Sequence, residues 1–127
     1  MIFIGYVLSG LIAAAIMFIG SRFLWGPAVA SREFGIPDSP QPSGGFIGWL
    51  AAKGMRDIVS GLFVCLLMAN GSPRLLGDFL LVASLIPLGD ATIVLRTGGS
   101  RAVAFGIHGS AALAIIAAAA CLIGGAS

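Results

Sequence analysis

The sequence predicts an all-α membrane protein, a bundle of four transmembrane helices. Three observations carry that prediction. Mean hydropathy is +1.06, and 58% of the 127 residues are apolar against 9% charged. A soluble domain carries about 25% charged residues, so this chain lacks the side chains to clothe a water-facing surface. Four apolar runs each approach the roughly 20 residues that a helix needs to cross a hydrocarbon core about 30 Å thick. The stretches between them are rich in Pro, Gly, Ser and Asn, which interrupt helices. A single integral membrane domain over 1–127 is expected, with no room for a separate soluble module.

The first span covers about residues 2–20. It lacks a positive leading segment and no polar domain follows it, so it reads as a retained helix rather than a cleaved leader. Gly5, Ser9, Gly10 and Ala13 leave room for a neighbouring helix. Residues 21–45 form the one long connection, broken by Pro27, Gly35, Pro37, Pro40, Pro42, Gly44 and Gly45. Pro27 suits a first helical position and Gly35 a stop, which predicts a short interfacial helix over 27–34. Phe23, Trp25, Phe46 and Trp49 fit an aromatic belt at that face.

The second span runs over about 46–69, and Asn70-Gly71-Ser72-Pro73 makes a compact turn. The third covers about 74–95. Within it Pro87 removes a backbone donor and predicts a kink just before Asp90. Thr97-Gly98-Gly99-Ser100 turns the chain into a fourth span over about 101–122, whose alanine-rich run 111–120 suits tight packing. The Gly and Ala faces exceed what one four-helix bundle must bury, which suits a homodimer. Cys65 and Cys121 have no metal spacing and read as small apolar residues, a disulfide between them being conceivable.

Lys and Arg predict the topology. Arg22, Arg32, Lys53, Arg56, Arg96 and Arg101 lie in or beside the first and third loops, whereas the second loop holds only Arg74. The positive-inside rule puts the first and third loops in the cytoplasm and both termini on the opposite side. In that frame Asp57 lies about eleven residues into its span, Asp90 about five and His108 about seven from the same face, depths that agree within roughly 10 Å at about 1.5 Å per residue.

Polar groups therefore converge in one leaflet. At their centre is Lys53-Gly54-Met55-Arg56-Asp57, whose three charges share one helical side by i,i+3 and i,i+4 spacing. Ionisable groups at membrane depth are costly and normally face protein or a wet cavity. The candidate catalytic residues are Arg56, Asp57, Asp90 and His108; Lys53, Trp49, Arg22 and Tyr6 are candidate substrate contacts. Each also has a structural reading. Lys53 can snorkel to the headgroups, Arg56 can neutralise Asp57 or Asp90, and His108 can hydrogen-bond another helix. Arg22 can anchor topology, and Tyr6 and Trp49 can be belt residues. Asp78 lies in the opposite leaflet, near a helix start that favours a carboxylate.

The ordered set Gly20-x-Arg22, Pro27, Phe34-Gly35-Ile36-Pro37, Lys53-Gly54-Met55-Arg56-Asp57, Gly61, Pro87-Leu88-Gly89-Asp90 and His108-Gly109 resembles a family of small four-helix membrane proteins of bacteria and fungi. That family is catalogued as a domain of unknown function and is loosely similar to DoxX-type proteins. The resemblance covers nearly the whole chain. It implies a four-helix fold and a site built from Arg56, Asp57, Asp90 and His108. Some members look like components of natural-product pathways, which implies chemistry on lipophilic intermediates.

The expected function is a membrane-embedded acid–base enzyme acting on a lipophilic small molecule. Two carboxylates around an arginine suit epoxide opening, by hydrolysis or cyclisation, or isomerisation: one group takes a proton, the other gives one. Asp90 as acid, Asp57 as base and His108 as relay is one assignment, and its reverse is equally allowed. A proton-coupled transporter and an accessory subunit are the alternatives, since intramembrane carboxylates serve carriers and buried ion pairs set helix register. The one histidine and scattered aspartates do not form a metal-ligand set, no nucleotide loop appears, and no cofactor is expected. A net charge of +2 with scattered Lys and Arg does not make a nucleic-acid surface.

Overall fold

The computed structural model describes residues 1–126, and no strand occurs among them. Helix α1 spans Ile2–Trp25, α2 Pro27–Phe34, α3 Gly44–Asn70, α4 Pro73–Ala83 and α5 Leu85–Arg96. Helix α6 spans Arg101–Gly125 and contains a π-helical stretch, Ala104–Gly109.

Local sequence accounts for the ends of these helices. Pro27 occupies the first turn of α2, where a missing N–H costs nothing, and Gly35 ends it at φ 99°, a left-handed conformation that suits glycine. Ser72 caps α4 by accepting from the Leu75 N–H at 3.3 Å, and Ser100 caps α6 by accepting from the Val103 N–H at 3.1 Å. The third apolar run breaks at Ser84. Pro87 has no N–H to offer the Ala83 carbonyl, and the Ser84 hydroxyl donates to the Leu81 carbonyl at 2.7 Å.

Three helices are long and apolar enough to cross a membrane: α1, the broken α4–α5 helix (Pro73–Arg96) and α6. This corrects the expectation of a clean bundle of four transmembrane helices. The expected second span lies in α3, which at 27 residues has the length. However, every stretch of span length inside α3 contains Lys53, Arg56 and Asp57 together. Three charges on one segment are what a hydrocarbon core disfavours most.

Helix α3 packs along α1 at very close range. A Cβ on Gly20 would stand 2.6 Å from the Gly54 carbonyl oxygen, and one on Gly54 would stand 2.5 Å from that of Gly20. Further along the same seam, a Cβ on Gly61 would stand 2.9 Å from the Ala13 carbonyl. Small residues at these crossings let two backbones meet. Away from α2, the interior is a cluster of Ala13, Val64, Leu76, Leu80, Ala118, Ala119 and Leu122. The alanine-rich run of α6 is thus partly consumed within the chain, because Ala112, Ala118 and Ala119 are buried.

Helix α2 folds back across one end of the bundle. Its Ala30 is buried with Phe23 and Leu50, while Phe34 packs against Ala91, Val94 and Ala104. The 21–45 connection thereby joins α1 and α3 to α5 and α6. Gly99 makes this possible, since a Cβ there would lie 2.5 Å from the Gly35 carbonyl oxygen.

The α1–α3 seam makes a direct test. Gly54→Leu forces a side chain into the Gly20 backbone and should lower stability by about 1–3 kcal/mol or more, the usual cost of overpacking. Gly48→Ala, where a Cβ meets nothing within 4 Å, should leave it unchanged. Thermal unfolding of the purified protein in detergent checks both; equal stability of the two variants would remove the close-crossing account.

Candidate functional site

The helices enclose a cavity of about 280 Å³ with two unlike ends. Its deep walls are apolar, formed by Ile12, Val64, Phe79, Leu80 and Ile115. Toward α2 it is lined by six ionisable side chains: Arg22, Glu33, Lys53, Asp57, Asp90 and His108. A second hollow of about 320 Å³ lies between α3 and the α4–α5 helix. It shares the lining residues Ser60, Phe79, Ala83 and Ile86 with the first.

Helix phase decides which charges face inward. Lys53, Asp57, Ser60 and Val64 line the cavity at i, i+4, i+7 and i+11, one stripe of α3. The Lys53 ammonium donates to Asp57 Oδ2 at 2.7 Å. It also lies 4.5 Å from the centre of the Phe23 ring and 5.2 Å from that of Phe34. An opposite charge and two ring faces hold this cation inside, where a cation–π contact is worth about 0.5–2 kcal/mol.

Arg56 is the main correction. It is exposed on the outer side of α3, and its guanidinium has no ion pair among the described residues. It stands about 100° around the helix from Asp57, the turn that separates consecutive residues at 3.6 per turn. The expected arginine between two aspartates is absent; Lys53 is the cation in the cavity. Trp49 and Tyr6 are corrected as well. Trp49 is 73% exposed while its neighbour Leu50 takes the inward position. Tyr6 packs on the apolar cluster away from α2, outside the cavity lining.

Arg22 does line the cavity, but it is not free. Its guanidinium hydrogen-bonds Glu33 of α2, across the Gly26-Pro27 corner. That hydrogen bond holds the Glu33 carboxyl below the ordinary range, with the Arg22 charge adding to it. Asp78 pairs with Arg74 at 3.2 Å, far from the cavity. Both cysteines are free thiols.

His108 lies within the π-helical stretch of α6 and is buried. Such a stretch shifts helical phase by adding a residue to a turn and often marks a functional position. The His108 ring stands 4.7 Å from the Phe34 ring, and its Nε2 lies 2.9 Å from the Phe34 carbonyl oxygen. A carbonyl only accepts, so Nε2 carries the hydrogen and donates it. Nδ1 is then turned to Asp90, with Oδ2 3.9 Å away. That is too long for a direct hydrogen bond and short enough for one intervening donor. Asp90 also lies within electrostatic reach of Lys53 and Asp57.

The structure thus brings Asp57, Asp90, His108, Lys53 and Arg22 to one cavity and leaves out Arg56, Trp49 and Tyr6. Sequence reasoning missed Glu33, Phe23 and Phe34 as site residues. The signal for Glu33 was an opposite charge eleven residues after Arg22, across a helix-breaking pair. Phe34 acts partly through its backbone carbonyl, which no side-chain pattern reveals. Among the described residues, no three of His, Cys, Asp and Glu gather as a metal-ligand set.

No curated protein and no solved structure matches this chain. One family, described as a domain of unknown function (DUF4267), matches residues 13–122. Those residues include all six ionisable groups of the cavity. The match covers most of the chain, and the protein belongs to the DUF4267 family.

Proposed function

We propose that this protein is a membrane-embedded acid–base enzyme acting on a lipophilic small molecule. One observation carries the reading: an apolar cavity inside a membrane bundle has its ionisable groups gathered at one end. Ligand sites are typically apolar hollows with a few convergent polar groups, and this one has that form. The groups at its polar end divide into two sets with different tasks. The Lys53–Asp57 pair is locked by a short hydrogen bond and two rings, so it suits a fixed electrostatic role. Asp90 has no direct cation partner, and His108 is oriented behind it by the Phe34 carbonyl; this set suits proton transfer.

Epoxide opening is the most concrete reaction of this kind. Asp90, assisted by His108, takes the proton of the attacking group. The Lys53 ammonium, steadied by Asp57, hydrogen-bonds the oxirane oxygen as its bond to carbon breaks, and the proton held by Asp90 then passes to that oxygen, which regenerates the carboxylate. Isomerisation moves a proton with the same groups. The hollow between α3 and α4–α5 supports entry of the substrate from the bilayer. We further propose that α3 is a fourth crossing, with Lys53 and Asp57 sheltered in the cavity and Arg56 on the outer face. The first and third loops are then cytoplasmic and the termini opposite.

Two measurements test this reading. Single cysteines at Gln41, Asn70 and Thr97, in a background lacking Cys65 and Cys121, report topology. An impermeant thiol reagent should label Asn70→Cys from outside intact cells, and the other two only after permeabilisation. Labelling of Gln41→Cys and Asn70→Cys from the same side would show that α3 does not cross. Turnover of a panel of lipophilic epoxides by purified protein tests the chemistry. Asp90→Asn and Asp57→Asn should each lose about 10²–10⁴-fold in kcat/KM, the usual worth of such a group, while Arg56→Gln stays within about twofold of wild type. Full activity in both aspartate variants would rule out the enzyme reading.

A further inference from the structure

We propose that the cavity binds a lipophilic primary or secondary amine, its ammonium seated between Asp90 Oδ2 and His108 Nδ1. This rests on the reading of the cavity as a ligand site, and does not depend on turnover.

The argument begins with the charges. Arg22 is consumed by Glu33, and Lys53 by Asp57. Glu33, Asp57 and Asp90 outnumber Arg22 and Lys53 in the lining, and Asp90 is the carboxylate left without a Lys or Arg partner. An anionic head, carboxylate or phosphate, meets no free cation there. A cation balances the lining.

Hydrogen bonding sharpens the choice. In the tautomer whose Nε2–H donates to the Phe34 carbonyl, Nδ1 presents a lone pair. Asp90 Oδ2 presents another, 3.9 Å away. Two acceptors facing one point require two donors on one atom. A hydroxyl group has a single O–H and satisfies one of them. An ammonium with at least two N–H bonds satisfies both and neutralises the carboxylate. A tertiary ammonium has one N–H and a quaternary one none, so both are disfavoured.

The rest of the cavity sets the tail. Its apolar walls run away from the polar end, and 280 Å³ is nearly twice the roughly 150 Å³ apolar cavity that holds a benzene. A straight or branched hydrocarbon of about eight carbons fits this space. Entry through the hollow beside Ser60 and Ala83 brings the tail in from the lipid.

The test uses the whole protein in phosphatidylcholine nanodiscs. Binding of n-octylamine, n-octanol and n-octanoate is measured by calorimetry, with empty nanodiscs as the partitioning reference. The amine should bind at least about tenfold more tightly than the other two, as a charge-assisted pair of hydrogen bonds requires. Asp90→Asn should abolish that preference while n-octanol still binds, which shows the cavity intact. Asp90→Ser, a smaller neutral replacement, should do the same. Asp78→Asn, remote from the cavity, should change nothing. A wild-type protein that binds n-octanol or n-octanoate as tightly as the amine overturns the amine assignment and leaves the lipophilic-ligand reading standing. An amine preference that survives in either Asp90 variant also overturns it. Binding of none of the three overturns both.

Discussion

A cation inside an apolar bundle must be compensated where it stands, and that constraint organises this protein. Lys53 lies on the inward stripe of α3 and lines the cavity. It is held by Asp57 one turn on and by the faces of Phe23 and Phe34. Phe23 belongs to α1 and Phe34 ends α2, so compensating one ammonium ties three helices together. The glycine seam between α1 and α3 is part of the same solution. Only with Gly20 and Gly54 at the crossing do the two backbones come close enough for Phe23 to reach over Lys53.

The second charge to be placed is Asp90, and it is treated differently. No cation bonds it directly. It faces His108, whose ring is oriented by a backbone carbonyl 74 residues earlier in the chain. A half-buried carboxylate beside an imidazole, at the edge of an apolar space, is costly to maintain without a ligand or a proton to share. Structural pairing would close such a gap; here it is held open. That contrast between a closed pair and an open one is the physical basis for assigning fixed electrostatics to Lys53–Asp57 and proton or ligand exchange to Asp90–His108.

The candidate site was legible in part. The topology expected from charge bias and helical rise gave Asp57, Asp90 and His108 similar depths, and all three line one cavity. Rotational phase was harder. Arg56 was grouped with Lys53 and Asp57 by spacing, yet the 100° step to Asp57 puts it on the outer surface. Trp49 and Tyr6 failed for a similar reason, one facing out and the other packed against the apolar cluster away from α2. Glu33 and Phe34 were hidden in a proline-rich connection that read as interfacial, since nothing local says that a loop folds back over a bundle end.

By itself the sequence determined the membrane class, the helical fold, the breaks at Pro27, Gly35, Gly71 and the 97–100 turn, and the Lys/Arg bias between the loops. These follow from hydropathy, breaker residues and the Lys/Arg count, all of which act locally or as sums. Tertiary structure decided the rest. It set the α3 phase that turns Lys53 inward and Arg56 outward. It also set the π-helical stretch that aims His108, and the return of α2 over the cavity. Each of those depends on which backbones can approach at Gly20, Gly54 and Gly99 and which carbonyl is left to accept a hydrogen, and such contacts exist only once the helices have met.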